Sequence, residues 1–127
     1  MTNTFLLNDF YTIEKLSNDV EKIQATILLN AKHAIFKGHF EQMPVVPGVC
    51  QTQVIKELLQ EVIKKQLQLC QATNVKYTGM IVPHEHSVID VEISFQLNTE
   101  TNNYNVDAKL FFETTTFTKF KGIFKIS

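Results

Sequence analysis

Along the 127-residue chain, two kinds of hydrophobic spacing alternate, and they divide it into a short list of elements. Ile23, Ala25 and Ile27 alternate with Gln24, Thr26 and Leu28, the period-2 signature of a strand with one buried face. Phe10 to Leu16 reads as a strand before it, and Asn18-Asp19 supplies the turn between the two. From Gly48 to about Leu69 the spacing changes. Val54, Ile55, Leu58, Leu59, Val62 and Ile63 recur in pairs four apart, which predicts one long helix with a broad buried face. Glu57, Gln60, Glu61, Lys64 and Lys65 are expected on its other side. Val75–Val82, Ser87–Leu97, Tyr104–Thr114 and Phe117–Ile126 read as four more strands, rich in β-branched and aromatic residues. Thr99 to Asn103 forms a polar hairpin loop. Two strands, a helix and four strands predict an α+β domain over residues 1–127, in which an antiparallel sheet covers one central helix.

Composition narrows the picture. Hydrophobic residues make up 44% of the chain and charged residues 20%, enough apolar material for a core. A formal charge of -1 gives no general attraction to nucleic acid or to an anionic membrane. The N-terminus lacks the basic start and apolar stretch of a signal peptide, and no run approaches a bilayer span. Cys50 and Cys70 are too few for a disulfide scaffold and have no metal-ligand spacing, so a reduced, cytoplasmic protein is expected.

Between strand and helix, periodicity fails from about His33 to Gly48. Long irregular connections in small domains often carry function. Gly38 allows unusual backbone geometry, and His39 follows it between aromatics and prolines, where an imidazole can exchange a proton near neutral pH. Pro44 and Pro47 stiffen the loop, and Gly48 opens a helix whose first amides can polarise a carbonyl. A base beside such a helix start suits removal of a proton next to a thioester carbonyl. A lone loop histidine is more often structural, and on general grounds the catalytic reading holds for about one such residue in four.

The run Gly38-His39-Phe40-Glu41-Gln42-Met43-Pro44-Val45-Val46-Pro47-Gly48-Val49 resembles the signature of the hotdog-fold 3-hydroxyacyl-acyl-carrier-protein dehydratases of the FabZ and FabA type. Their pattern reads G-H-F-P-x-x-P-V-x-P-G-V, and Gly38, His39, Phe40, Pro44, Val45, Pro47, Gly48 and Val49 match it. His33, Phe36, Val75-Lys76-Tyr77 and Val82-Pro83 extend the likeness more loosely. The resemblance implies a hotdog fold and a lyase, without metal or redox cofactor, forming a trans-2-enoyl thioester in fatty-acid or related lipid or polyketide-like synthesis. His39 would take the proton alpha to the thioester, and the Gly48 N–H would bind its carbonyl oxygen. Phe40, Val45, Pro47 and Val49 would contact substrate. An acyl carrier protein would be the partner, and two hotdog chains, identical or different, would share the site.

Two positions depart from the family pattern. Glu41 stands where the family has proline, and Gln53 replaces the acid on the helix. Gln53 can hold a hydroxyl but supplies no proton. His39 acting alone, with Gln53 positioning the substrate, is the preferred mechanism. Glu57, one turn on, is a second candidate for the site; the family usually carries Gln there, so the acid and the amide look exchanged. Its ordinary reading is a solvated or paired carboxylate. Glu41 is the third and weakest candidate. The alternatives are a hotdog thioesterase, which would release free acid, and an impaired subunit or acyl-binding module that needs a partner chain. His84 and His86 flank Glu85, but a metal pair there lacks a third ligand, and Cys50 as a nucleophile ranks far below His39.

Overall fold

A computed structural model describes residues 6–36 and 45–127. Strands β1 (Tyr11–Asn18) and β2 (Lys22–Leu29) come first, followed by the helix α1 (Gly48–Ile63). Then come β3 (Leu67–Tyr77), β4 (Val88–Asn98), β5 (Asn103–Phe112) and β6 (Thr115–Ile126). All six strands form one antiparallel sheet in the order β1-β2-β4-β5-β6-β3. It packs around α1 as expected of a hotdog fold.

The period-2 faces explain the packing. Ile23, Ile27, Ile89, Val91 and Ile93 are almost wholly buried and alternate with polar residues on the outer face. Against them lie Val54, Ile55, Leu58 and Leu59 of α1. Burying one such side chain contributes about 1.5–3 kcal/mol before entropy is counted. The β1–β2 turn is held by Asp19, whose carboxylate accepts the amides of Glu21 and Lys22 at 3.1 and 3.0 Å.

Three sequence expectations need correction. The helix ends at Ile63, not near Leu69, because Lys64 turns into the left-handed region (φ 64°) and donates its amide to the Gln60 carbonyl at 2.9 Å. The strand expected at Val75–Val82 instead starts at Leu67 and stops at Tyr77. Glu57 and Gln60, expected on the solvent side, are 0% and 1% exposed. The sheet curls far enough around α1 to enclose most of its circumference, so buried polar residues on the helix take backbone partners. Gln60 Oε1 accepts the Leu67 amide at 2.8 Å and fixes where β3 begins.

Curvature at that edge has a visible cause. The β3–β6 ladder slips register twice, between Leu69 and Gln71 and between Ala72 and Asn74. Gly122 faces these bulges; a Cβ there would lie 2.7 Å from both the Gln71 carbonyl oxygen and the Phe120 ring. Only glycine lets β6 approach β3 so closely at this point.

Candidate active site

The start of α1 is held from several sides. The Val46 amide bonds the Ile81 carbonyl at 2.9 Å, and Pro47, extended at φ -63° and ψ 149°, caps the helix. Buried Gln51 donates Nε2 to the Val46 carbonyl at 3.3 Å and accepts a hydrogen bond from the Thr118 hydroxyl of β6. The entry segment, the first helical turn and the sheet are thus pinned by one side chain. Gly48 opens the helix; the Cys50 and Gln51 amides bond the Pro47 carbonyl at 3.1 and 3.2 Å, so the amides of Gly48 and Val49 are the ones that precede the first helical bond.

Here α1, β3 and β6 enclose a cavity of about 410 Å³. Gly48, Val49 and Gln53 form one wall, Leu69, Val75 and Tyr77 of β3 another, and Phe124 contributes from β6. Lys56 also lines it. Val49 is 76% exposed and Tyr77 is 56% exposed, so the mouth is apolar and open. The Tyr77 ring lies against Gly48, where a Cβ would be 2.8 Å from Cζ; glycine is required for this contact.

Glu57 gives the site its chemical character. Its carboxylate receives four hydrogen bonds from described residues. Oε1 accepts the Leu7 amide at 2.9 Å and the Tyr11 hydroxyl at 3.0 Å. Oε2 accepts the Leu6 amide at 3.1 Å and the Gln53 side-chain amide at 2.7 Å. The Leu6–Phe10 turn makes this possible: Asn8 adopts φ 72°, which Asn tolerates, and the Phe10 amide closes on the Leu6 carbonyl at 2.7 Å. Burial first, and then the adjacent Glu57, push the Tyr11 hydroxyl far above its ordinary value, so it remains a donor.

The structure brings Gly48, Val49 and Gln53 to one cavity. Val45 and Pro47 are half-buried in the stretch leading into the helix. Glu57, expected as a substrate contact, does not line the cavity and meets it through Gln53. His39, Phe40, Glu41 and Pro44 lie outside the described residues. Sequence reasoning missed Tyr77 as a wall of the site and Gln51 as its brace; no spacing signal marks either. Cys50 is buried, which raises its thiol above the ordinary range and keeps it protonated, unlike a nucleophile. His86 accepts the Val82 amide at 2.9 Å and packs on Phe117, and no metal-binding cluster exists among the described residues. Nor, among those residues, is any helix long and apolar enough to cross a membrane.

With this geometry in hand, comparison with known proteins is informative. Residues 15–117 match the profile of the ApeI-like family, described as ApeI dehydratase. The chain belongs to that family. A search of curated proteins gave no match. Among solved structures, the dehydratase heterocomplex ApeI:P from Xenorhabdus doucetiae superposes with a TM-score of 0.69 at 16% identity, covering 89% of this chain and 96% of that one. Cj0977, a sigma28-regulated virulence protein from Campylobacter jejuni, gives 0.65 at 6% identity over 89% and 82%. A putative thioesterase from Shewanella oneidensis gives 0.56 at 10% identity over 92% and 84%. At these identities the likeness speaks for the hotdog fold alone.

Proposed function

We propose that this protein, a single hotdog domain, removes water from 3-hydroxyacyl chains carried on an acyl carrier protein and leaves a trans-2-enoyl thioester. The observation that carries the reading is the cavity at the start of α1, lined by Gly48 and Val49, the last two residues of the Gly38–Val49 motif, and by Gln53 four residues on. His39 takes the proton from the carbon alpha to the thioester, while the Gly48 N–H holds the carbonyl oxygen as negative charge develops. The bond from C3 to the hydroxyl breaks, and His39 returns its proton to that hydroxyl, which departs as water. Gln53 positions the hydroxyl without supplying a proton. Phe40, Val45, Pro47 and Val49 contact the substrate. The reaction needs no metal or redox cofactor.

An acidic carrier protein fits the charge on the outer face of the sheet. Lys109 pairs with Lys119 across β5 and β6, and Lys119 pairs with Lys76 across β6 and β3. Glu92 of β4 lies opposite Lys109, but Lys119 has a lysine on either side; like charges in direct register are unfavourable, so this basic row carries a cost at Lys119 that an acidic partner would offset. Two hotdog chains share the site in this proposal, joined through β3, which stands at the sheet edge next to the cavity. Cytoplasmic residence fits two free thiols, one of them exposed.

A second reading rests on a specific observation: Gln53 stands where the dehydratases carry an acid, and the Xenorhabdus relative was solved as a heterocomplex. In that reading the chain works only with a different hotdog partner. Incubating the purified protein with a 3-hydroxyacyl carrier protein and following the acyl group by mass spectrometry separates them. Loss of water by the wild type, abolished by His39→Ala, supports the dehydratase. Free acid would identify a thioesterase. An inert wild type that becomes active as Gln53→Glu or on adding a partner chain would favour the second reading.

A further inference from the structure

We infer that Glu57 is a positioning residue that locks the Gln53 amide with its carbonyl oxygen turned toward the cavity, so that the substrate group received there is a hydrogen-bond donor. The inference rests on the dehydratase reading for its substrate, in which that donor is the 3-hydroxyl.

A glutamine side chain has two faces, an acceptor oxygen and a donor NH2 group, and without a neighbour that discriminates between them either can face a ligand. Glu57 discriminates. Its two oxygens accept from Leu6, Leu7 and Tyr11, so the carboxylate is held as an acceptor on both sides. The group lying 2.7 Å from Oε2 is therefore the Gln53 NH2, and Oε1 of Gln53 is left facing away from Glu57. Gln53 is half-buried and lines the cavity, whereas Glu57 is fully buried and does not. Among the described residues, the carboxylate thus reaches the cavity through the amide. The acid and amide look exchanged relative to the related dehydratases, and the exchange has a physical meaning. The buried member of the pair is the charged one, and the member that meets substrate is neutral and of fixed polarity.

Glu57→Gln would reverse that polarity. One amide oxygen cannot replace two carboxylate oxygens: the introduced side chain would keep Leu7 and Tyr11 on its oxygen and turn its NH2 toward Gln53. Gln53 would then flip to accept, showing its own NH2 to the cavity. The double variant Gln53→Glu with Glu57→Gln restores an acceptor at position 53, held by the NH2 introduced at position 57.

The lock is read directly by NMR on the nitrogen-labelled wild-type protein, with the Gln53 side-chain amide assigned from its absence in Gln53→Leu. One Nε2 proton should be shifted downfield and slow to exchange, and the shift should vanish in Glu57→Gln. Binding of a 3-hydroxyacyl pantetheine thioester and its 3-deoxy counterpart is measured by calorimetry alongside. Wild type should prefer the hydroxylated compound about tenfold, Glu57→Gln should lose the preference, and the double variant should regain it. A Gln53 amide with random-coil shifts and fast exchange, or equal affinity of the wild type for both compounds, would overturn the inference. If Glu57→Gln does not fold, the wild-type spectrum and the double variant still decide it. A locked amide and hydroxyl preference without any dehydration would leave the inference standing and sink the lyase.

Discussion

Tyr11 and Glu57 show how much one buried residue can depend on its neighbours. Tyr11 is 1% exposed, and its hydroxyl is one of the donors that make a carboxylate tolerable inside the core. Tyr11→Phe is expected to lower stability by about 1.5–3 kcal/mol, the worth of a hydrogen bond to a charged group. The pH dependence has a definite sign. The folded-state hydroxyl sits well above the ordinary value of 10.0, so its contribution is complete below that value and declines as pH rises past it. Chemical denaturation between neutral pH and about pH 11 should show wild-type stability falling and Tyr11→Phe falling less. Little at this scale was legible in the sequence. The Gly38–Val49 motif could be read because its residues are consecutive. The Glu57 cluster could not, since its partners Leu6, Leu7 and Tyr11 are distant in the chain and two of them contribute only backbone amides.

Among the elements, the strands β2, β4 and β5 followed their alternation closely, because each has one face on the core and one in water. The helix end did not. Leu67 lies four residues after Ile63 and so continues the helical spacing, while Leu67 and Leu69 also satisfy period 2, and both patterns fit the same letters. What decides is Lys64 in the left-handed region, where a non-glycine residue is disfavoured by about 1–2 kcal/mol. Its side chain is exposed, so little packing is lost by removing it. Lys64→Gly should therefore raise stability by about 0.5–1 kcal/mol, seen as a melting temperature higher by roughly 2–6 °C.

For the whole molecule, the basic row on the outer sheet face is where the proposed carrier partner can be tested. Lys119 sits between Lys109 and Lys76, and its replacement by glutamate converts two like-charge pairs into opposite-charge pairs. Lys119→Glu should gain about 0.2–1 kcal/mol in thermal denaturation. The same change should weaken binding of an acidic carrier protein roughly tenfold at low ionic strength, with the difference fading as salt is added. A variant that gains stability while losing the carrier would mark this face as the docking surface; unchanged affinity at every salt concentration would remove it from consideration. The sign of this face was hidden in the sequence, where the total charge of -1 conceals a local excess that only strand register assembles.

The turn that delivers Leu6, Leu7 and Tyr11 to Glu57 also has a consequence in time. These residues leave the ribosome before α1 does, and the carboxylate they bind is 46 to 51 positions behind them. Until it arrives, their donors and Glu57 are served by water, and closing so long a loop returns nothing until the whole cluster forms. The segment that leads into β1 is thus bound to a late event of folding. Drying of the core and capture of that segment become a single step.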